Sequence, residues 1–215
     1  MSLKVDYVTD LNDGWGALNF VALQLAIADV GGIEVDLELR PYELYPDLPP
    51  EGIPMAEHLA RNFGAVDSMA LKTRDALRAW AHELDFEGYR PELRERAYST
   101  FDGHRLLRWA LATAGSQAQQ ALAMALLRLT LCEGGDVSDH EALLAKAEDL
   151  GLDVEAARAM LASDAYAGEI KRIEGEYRAM GIDTLPVLLI SGKVVSHGSQ
   201  SPEFYAHLIR QAASA

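Results

Sequence analysis

Cysteine, histidine and carboxylate side chains carry most of the chemistry that proteins perform, and this chain supplies them unevenly. A single cysteine, Cys132, is present among 215 residues, so no intrachain disulfide, four-cysteine cluster or Cys/His zinc cluster can be assembled. Cys132 follows an apolar helical run, Ala121–Leu131, where a free cysteine behaves as a small buried hydrophobe. The six histidines, His58, His82, His104, His140, His197 and His207, form no H-E-x-x-H or equivalent paired spacing, and no metal site is expected. Gly14-x-Gly16 and Gly134-Gly135 fall short of a dinucleotide or phosphate-loop fingerprint, which needs its glycines at fixed offsets. Asp13 is the carboxylate in a telling place, at the point where a β-prone run gives way to a helix. Its side chain can accept N–H bonds as a helix N-cap, or act as a ligand-binding group or general base if it faces a cleft.

The elements that must hold these residues follow from periodicity. Val5-Asp6-Tyr7-Val8 reads as a strand and Thr9–Gly14 as a polar turn. From Trp15 to Val30 apolar residues recur at helical spacing, and Gly31-Gly32 supplies the stop. Ile33, Val35, Leu37 and Leu39 alternate with charged residues, the period-two pattern of a strand, so the chain opens as a βαβ unit. Five prolines between Pro41 and Pro54 make a connecting loop. Helical patterns then cover Ala56–Phe63, Ser68–Leu84, Phe101–Ala114, Gln117–Cys132, Glu141–Leu150 and Val154–Leu161, with no convincing strand among them. Capping boxes are expected at Ser116–Gln119 and Ser138–Glu141, and left-handed helix ends at Gly115 and Gly151. A helix over about Ala165 to Met180 leads to a β-hairpin, Leu185–Ile190 and Lys193–Val195, turning at Ser191-Gly192. Ser201 and Pro202 open a last helix as N-cap and first helical residue.

Composition sets the outer limits. Hydrophobic residues at 49% and charged residues at 24% are ordinary globular values. A net charge of −14 has the wrong sign for neutralising phosphates, so nucleic acid and anionic membranes are not expected partners. The first residues lack a basic region followed by an apolar one, and no apolar run approaches the roughly 20 residues that cross a bilayer, which predicts a cytoplasmic protein. Acidic runs such as Glu169–Glu176, with Lys171 and Arg172 interleaved, read as solvated helix faces.

The order of these pieces resembles the DsbA-like branch of the thioredoxin superfamily, in particular the FrnE-type proteins grouped with 2-hydroxychromene-2-carboxylate isomerases and kappa-class glutathione transferases. The resemblance covers nearly the whole chain. It rests on Val8–Trp15, Arg40–Gly52, Thr100–Leu107, Glu133–Asp139 and Gly181–Pro186 taken in order. It implies an α/β thioredoxin-like fold (βαβ…αββα), built from residues 1–54 and 164–215, with residues 55–163 as an inserted helical domain. It also implies a site at the N-terminus of the first helix, facing a cis-proline at Pro186 that follows Leu185.

The resemblance exposes one departure. Members that exchange disulfides carry Cys-x-x-Cys where this chain has Asp13-Gly14-Trp15-Gly16, and exchange needs a thiolate that a carboxylate cannot replace. Relatives that use glutathione place a serine at the first position, and Asp13 departs from that too. Trp15 would line the cleft or cover the helix start. Ser199 and Gln200 fall where those relatives contact the γ-glutamyl group, and would bind ligand or only form the turn before the last helix. His104 would face the cleft from the insert or make a surface or interdomain hydrogen bond. The expectation is a family member without working dithiol chemistry. The alternatives are a glutathione- or thiol-dependent isomerase or transferase, and a non-catalytic module that binds a small molecule or an extended peptide. No cofactor is expected beyond glutathione as a candidate ligand.

Overall fold

The computed structural model describes residues 2–49, 51–63 and 69–214. Four strands form the central sheet: β1 (Leu3–Thr9), β2 (Val35–Pro41), β5 (Val187–Ile190) and β6 (Lys193–His197), in the order β2-β1-β5-β6. β1 runs parallel to β2 and antiparallel to β5, and β5 pairs antiparallel with β6. The parallel pair needs a crossover, which α1 (Gly14–Asp29) supplies. Alternation along the strands sends Val5, Tyr7, Leu37, Leu39, Leu188 and Ile190 into one core with α1 and α8 (Pro202–Ala213). Val8, Val187 and Leu189 point to the opposite face, where α7 (Ala167–Ala179) covers them with Ile173 and Tyr177. The result is a mixed sheet between helices, interrupted by a helical insertion between β2 and α7.

Between β2 and α7 lie α2 (Met55–Phe63), α3 (Met69–Glu83), the long α4 (Phe101–Cys132), α5 (His140–Asp149) and α6 (Val154–Leu161). Inside α4 Gly115 leaves the helical conformation, with φ 86 and ψ 177. That backbone is open to glycine and little else, so α4 is two helical segments meeting where the sequence placed a helix end. Gly151 likewise takes φ 70 after α5. Ser68, the expected start of α3, lies outside the described residues.

Four expectations need correction. The helical block holds a short strand after all: β4 (Arg96–Ala97) pairs antiparallel with β3 (Ile53–Pro54). Two residues are too few to show a period. The Ser116–Gln119 capping box is replaced by a pairing across the fold, because Gln119 accepts from the Leu39 N–H at 2.9 Å and donates to the Leu39 carbonyl at 3.0 Å. Satisfying the open edge of β2 outranks a local cap. α5 is capped by Asp139, whose side chain accepts from Glu141 N–H. Ser138 bonds back to Asp136 instead. Finally, the acidic face of α7 is not wholly solvated: Glu174 is buried at 3% exposure and accepts the Glu43 N–H at 2.7 Å.

Candidate functional site

Asp13 caps α1. Its backbone is extended, and one carboxylate oxygen, Oδ1, accepts the Trp15 N–H at 3.0 Å. The other oxygen, Oδ2, is buried without a hydrogen-bond partner. Burial is the main reason its carboxyl is pushed up to about 7; the neighbouring Asp10 charge adds to this, and the helix N–H groups and Arg94 oppose it. The group can therefore hold or release a proton near neutrality.

The rest of the turn is closely fitted. A Cβ on Gly16 would lie 2.3 Å from Thr9 Oγ1 and 2.8 Å from Asp13 Oδ2, distances that side-chain carbons do not tolerate. Thr9 Oγ1 is itself buried and unpartnered. The Gly16 carbonyl accepts from the Tyr7 hydroxyl at 2.5 Å. A Cβ on Gly14 would meet Leu77 at 3.2 Å and the Tyr89 hydroxyl at 3.5 Å, so the insert covers this side of the turn. Trp15 packs against Trp80 of α3, with ring centroids 5.8 Å apart.

Behind the turn sits Asp10, fully buried. It accepts from Asn12 N–H at 3.2 Å and Leu44 N–H at 2.8 Å, and its Oδ1 lies 3.6 Å from His104 Nε2. Burial alone would raise Asp10, but the facing imidazole and the Leu44 N–H hold it below the ordinary carboxylate range. His104, buried in α4, thus joins the insert to the strand–helix turn. Its companion Arg105 donates to the Ala165 and Met160 carbonyls, each at 2.9 Å, and to Asp102 at 2.6 Å. Arg94 donates to Asn12 Oδ1 at 2.8 Å and sets a cation beside the two aspartates.

The Leu185–Pro186 bond is cis, and the Pro186 carbonyl accepts from Gly198 N–H at 2.8 Å. Leu185 and Pro186 are buried; Ser199 is exposed and Gln200 half-buried. Both of the latter are tied to Asn19 of α1, which uses all four of its hydrogen-bonding positions. It donates to Ser199 Oγ and the Trp15 carbonyl, and accepts from Gln200 N–H and the Tyr205 hydroxyl. The structure thus brings Asp13, Trp15 and Gly16 together as one turn and anchors Ser199 and Gln200 to the same helix. His104 reaches the turn through Asp10. Thr9, Asp10, Asn19 and Arg94 were not singled out in the sequence. Asn19 had a readable signal, as a lone amide in the apolar stretch Gly16–Leu23; the others lie in polar segments where nothing marks them.

Cys132 takes no part in this turn. It ends α4 beside Glu87 and Gly88, and burial pushes its thiol up, which lowers its reactivity. Among the described residues no cluster of histidine, cysteine and carboxylate has the shape of a metal site, and no helix is long and apolar enough to cross a membrane.

The sequence matches the DSBA-like thioredoxin domain over residues 4–210. No curated protein matches it significantly. Among solved structures, a probable DsbA oxidoreductase from Streptomyces coelicolor is 30% identical with a TM-score of 0.85, covering 99% of this chain and 90% of its own. A 2-hydroxychromene-2-carboxylate isomerase is 16% identical with a TM-score of 0.70 over 98% of both chains. The cytosolic disulfide reductase DsbM from Pseudomonas aeruginosa, solved with GSH, is 15% identical with a TM-score of 0.63, over 99% of this chain and all of its own (100%). The last two likenesses describe the fold.

Proposed function

We propose a function from the premise that this chain belongs to the DSBA-like thioredoxin domain family: it keeps the family's fold and cleft but carries out no dithiol exchange. The observation that supports this is the packing of the turn itself. Asp13 fills the N-cap, and Gly16 has no room for a side chain between Thr9 and Asp13. The turn is therefore rebuilt around a carboxyl group, beyond a mere loss of two sulfurs. The one thiol in the chain, Cys132, is raised by burial and ends a different helix. A cytoplasmic setting suits a lone unpaired cysteine. In an insulin-reduction assay with dithiothreitol, the purified protein should give no rate above buffer. A clear rate that survives Cys132→Ser would overturn this reading.

The unpartnered Asp13 Oδ2 favours a second reading, in which the cleft binds a small thiol. A neutral carboxyl donates a hydrogen bond to sulfur, and an ionised one accepts from a thiol but repels a thiolate. Glutathione is the natural probe, since a fold neighbour was solved with it. Calorimetric titration at pH 6, where its thiol is protonated, should then show heat, and Asp13→Ala should abolish it. No heat removes this second reading and leaves the first intact.

A further inference from the structure

A second site, distinct from the Asp13 cap but adjoining the Asp10 and His104 pair behind it, lies where the β2 exit loop meets α7. A cavity of about 440 Å³ opens there, lined in part by Glu43, Ser99, Phe101, Lys171, Glu174 and Arg178. This is the size of a small-ligand pocket, and its charges are unevenly matched.

Glu174 has a partner on each oxygen. Its Oε1 accepts the Glu43 N–H at 2.7 Å, and its Oε2 makes a longer contact with Arg178 Nη1, at 3.4 Å. Arg178 in turn donates to the Glu43 carbonyl at 2.9 Å and lies over the Tyr42 ring. Glu43 has no such arrangement. Its side chain belongs to a residue only 6% exposed, and its one hydrogen-bond contact is the Ser99 hydroxyl at 3.4 Å, long for an O–H···O bond. On the wall of the same cavity, exposed Lys171 holds its ammonium 5.5 Å from the centroid of the Phe101 ring and pairs with no carboxylate among the described residues. A buried acid with one long hydrogen bond and a lysine ammonium outside any ion pair thus share one cavity. A carboxyl buried in this way stays ionised only when a cation reaches it, and otherwise takes up a proton.

We propose that this cavity binds a small zwitterion, of the size of a free amino acid or dipeptide, with its ammonium on Glu43 and Ser99 and its carboxylate on Lys171. Phe101 provides an apolar wall beside the carboxylate end. A ligand of one charge alone would satisfy only one of the two unmatched groups. The groups facing Glu43 are His104 from α4, Asp10 from the β1–α1 turn, and Glu174 from α7. Burial first, then the two neighbouring acids, push the Glu43 carboxyl up to about 7, and His104 opposes them. An arriving ammonium stabilises the ionised form, so binding at pH 7 releases protons to solvent.

The test is calorimetry of the full chain at pH 7 with the free amino acids and glycylglycine, in two buffers of different ionisation enthalpy, with butylamine and butyrate as single-charge controls. At least one zwitterion should bind at millimolar concentration or tighter and release protons. Glu43→Gln should remove the proton release and weaken binding by about tenfold or more, and Lys171→Ala should weaken it to a similar degree. Lys171 is exposed, so its variant folds whatever becomes of Glu43→Gln. The proposal is overturned if no zwitterion binds, if butylamine or butyrate binds as tightly as the best zwitterion, or if binding is unchanged in both variants.

Discussion

At the scale of single residues, Asp13 combines two demands that conflict in one side chain. A helix N-cap favours a negative charge, and burial of Oδ2 opposes it. Burial dominates, which fixes a sign for stability against pH. The Asp13 carboxyl titrates near 3.8 when unfolded and near 7 when folded. Between those values the native state binds more protons than the unfolded one, so stability falls as pH rises from about 4 to 7. Glu43, also raised to about 7 mainly by burial, acts in the same window. Asp13→Asn keeps a capping oxygen and removes the charge. It should flatten part of this slope and raise stability at pH 8 by roughly 1–3 kcal/mol, as measured by urea unfolding at pH 5 and pH 8. An unchanged slope would mean that Asp13 is already ionised in the fold. The neighbouring Gly16 gives a sharper structural test. Gly16→Ala alone should lose about 1–3 kcal/mol in urea unfolding, because the new Cβ strikes Thr9 Oγ1. Adding Thr9→Ala should recover part of that loss. If Gly16→Ala is as stable as the parent, the turn is roomier than its geometry implies.

At the scale of elements, the second segment of α4 closes the edge of the sheet. Gln119 pairs with both backbone groups of Leu39, and Gln120 donates to the Leu37 carbonyl at 2.9 Å. Two side-chain amides thereby stand in for a fifth strand and leave no template for edge pairing there. The Gly115 break turns this segment so that it can lie along β2. Gln119→Ala leaves the Leu39 N–H and carbonyl unmet in a buried place, at a cost of about 2–3 kcal/mol in thermal unfolding, together with faster aggregation on heating. A variant that melts with the parent and stays clear would show that water replaces the amide without penalty.

At the scale of the whole molecule, the helical insert is packed into the fold as a structural partner. One continuous core runs from Val5, Leu18 and Leu37 through Leu77, Leu106 and Leu126 to Leu143 and Met160. The three tryptophans, Trp15, Trp80 and Trp109, all belong to or pack against that core. Tryptophan fluorescence and far-ultraviolet circular dichroism should therefore report a single coincident urea transition. Two separated transitions would show that the insert and the sandwich fold independently. The Asp10–His104 contact and the Arg105 bonds to Met160 and Ala165 tie the same units through polar groups.

The sequence by itself determined the βαβ…αββα order, the helix ends at Gly115 and Gly151, the Ser191-Gly192 turn and the absence of a dithiol. Each is written in local spacing, in backbone conformations that favour glycine, or in a residue count. It also marked Asp13, because a carboxylate between a strand and a helix is a local pattern. Only the tertiary structure decided that Asp13 Oδ2 is left without a partner, that Thr9 closes the space at Gly16, that Gln119 serves β2 instead of its own helix, and that Glu43 and Lys171 share a cavity. Those outcomes depend on groups brought together from distant parts of the chain, where burial removes water and the nearest available partner, rather than sequence position, settles what each polar side chain does.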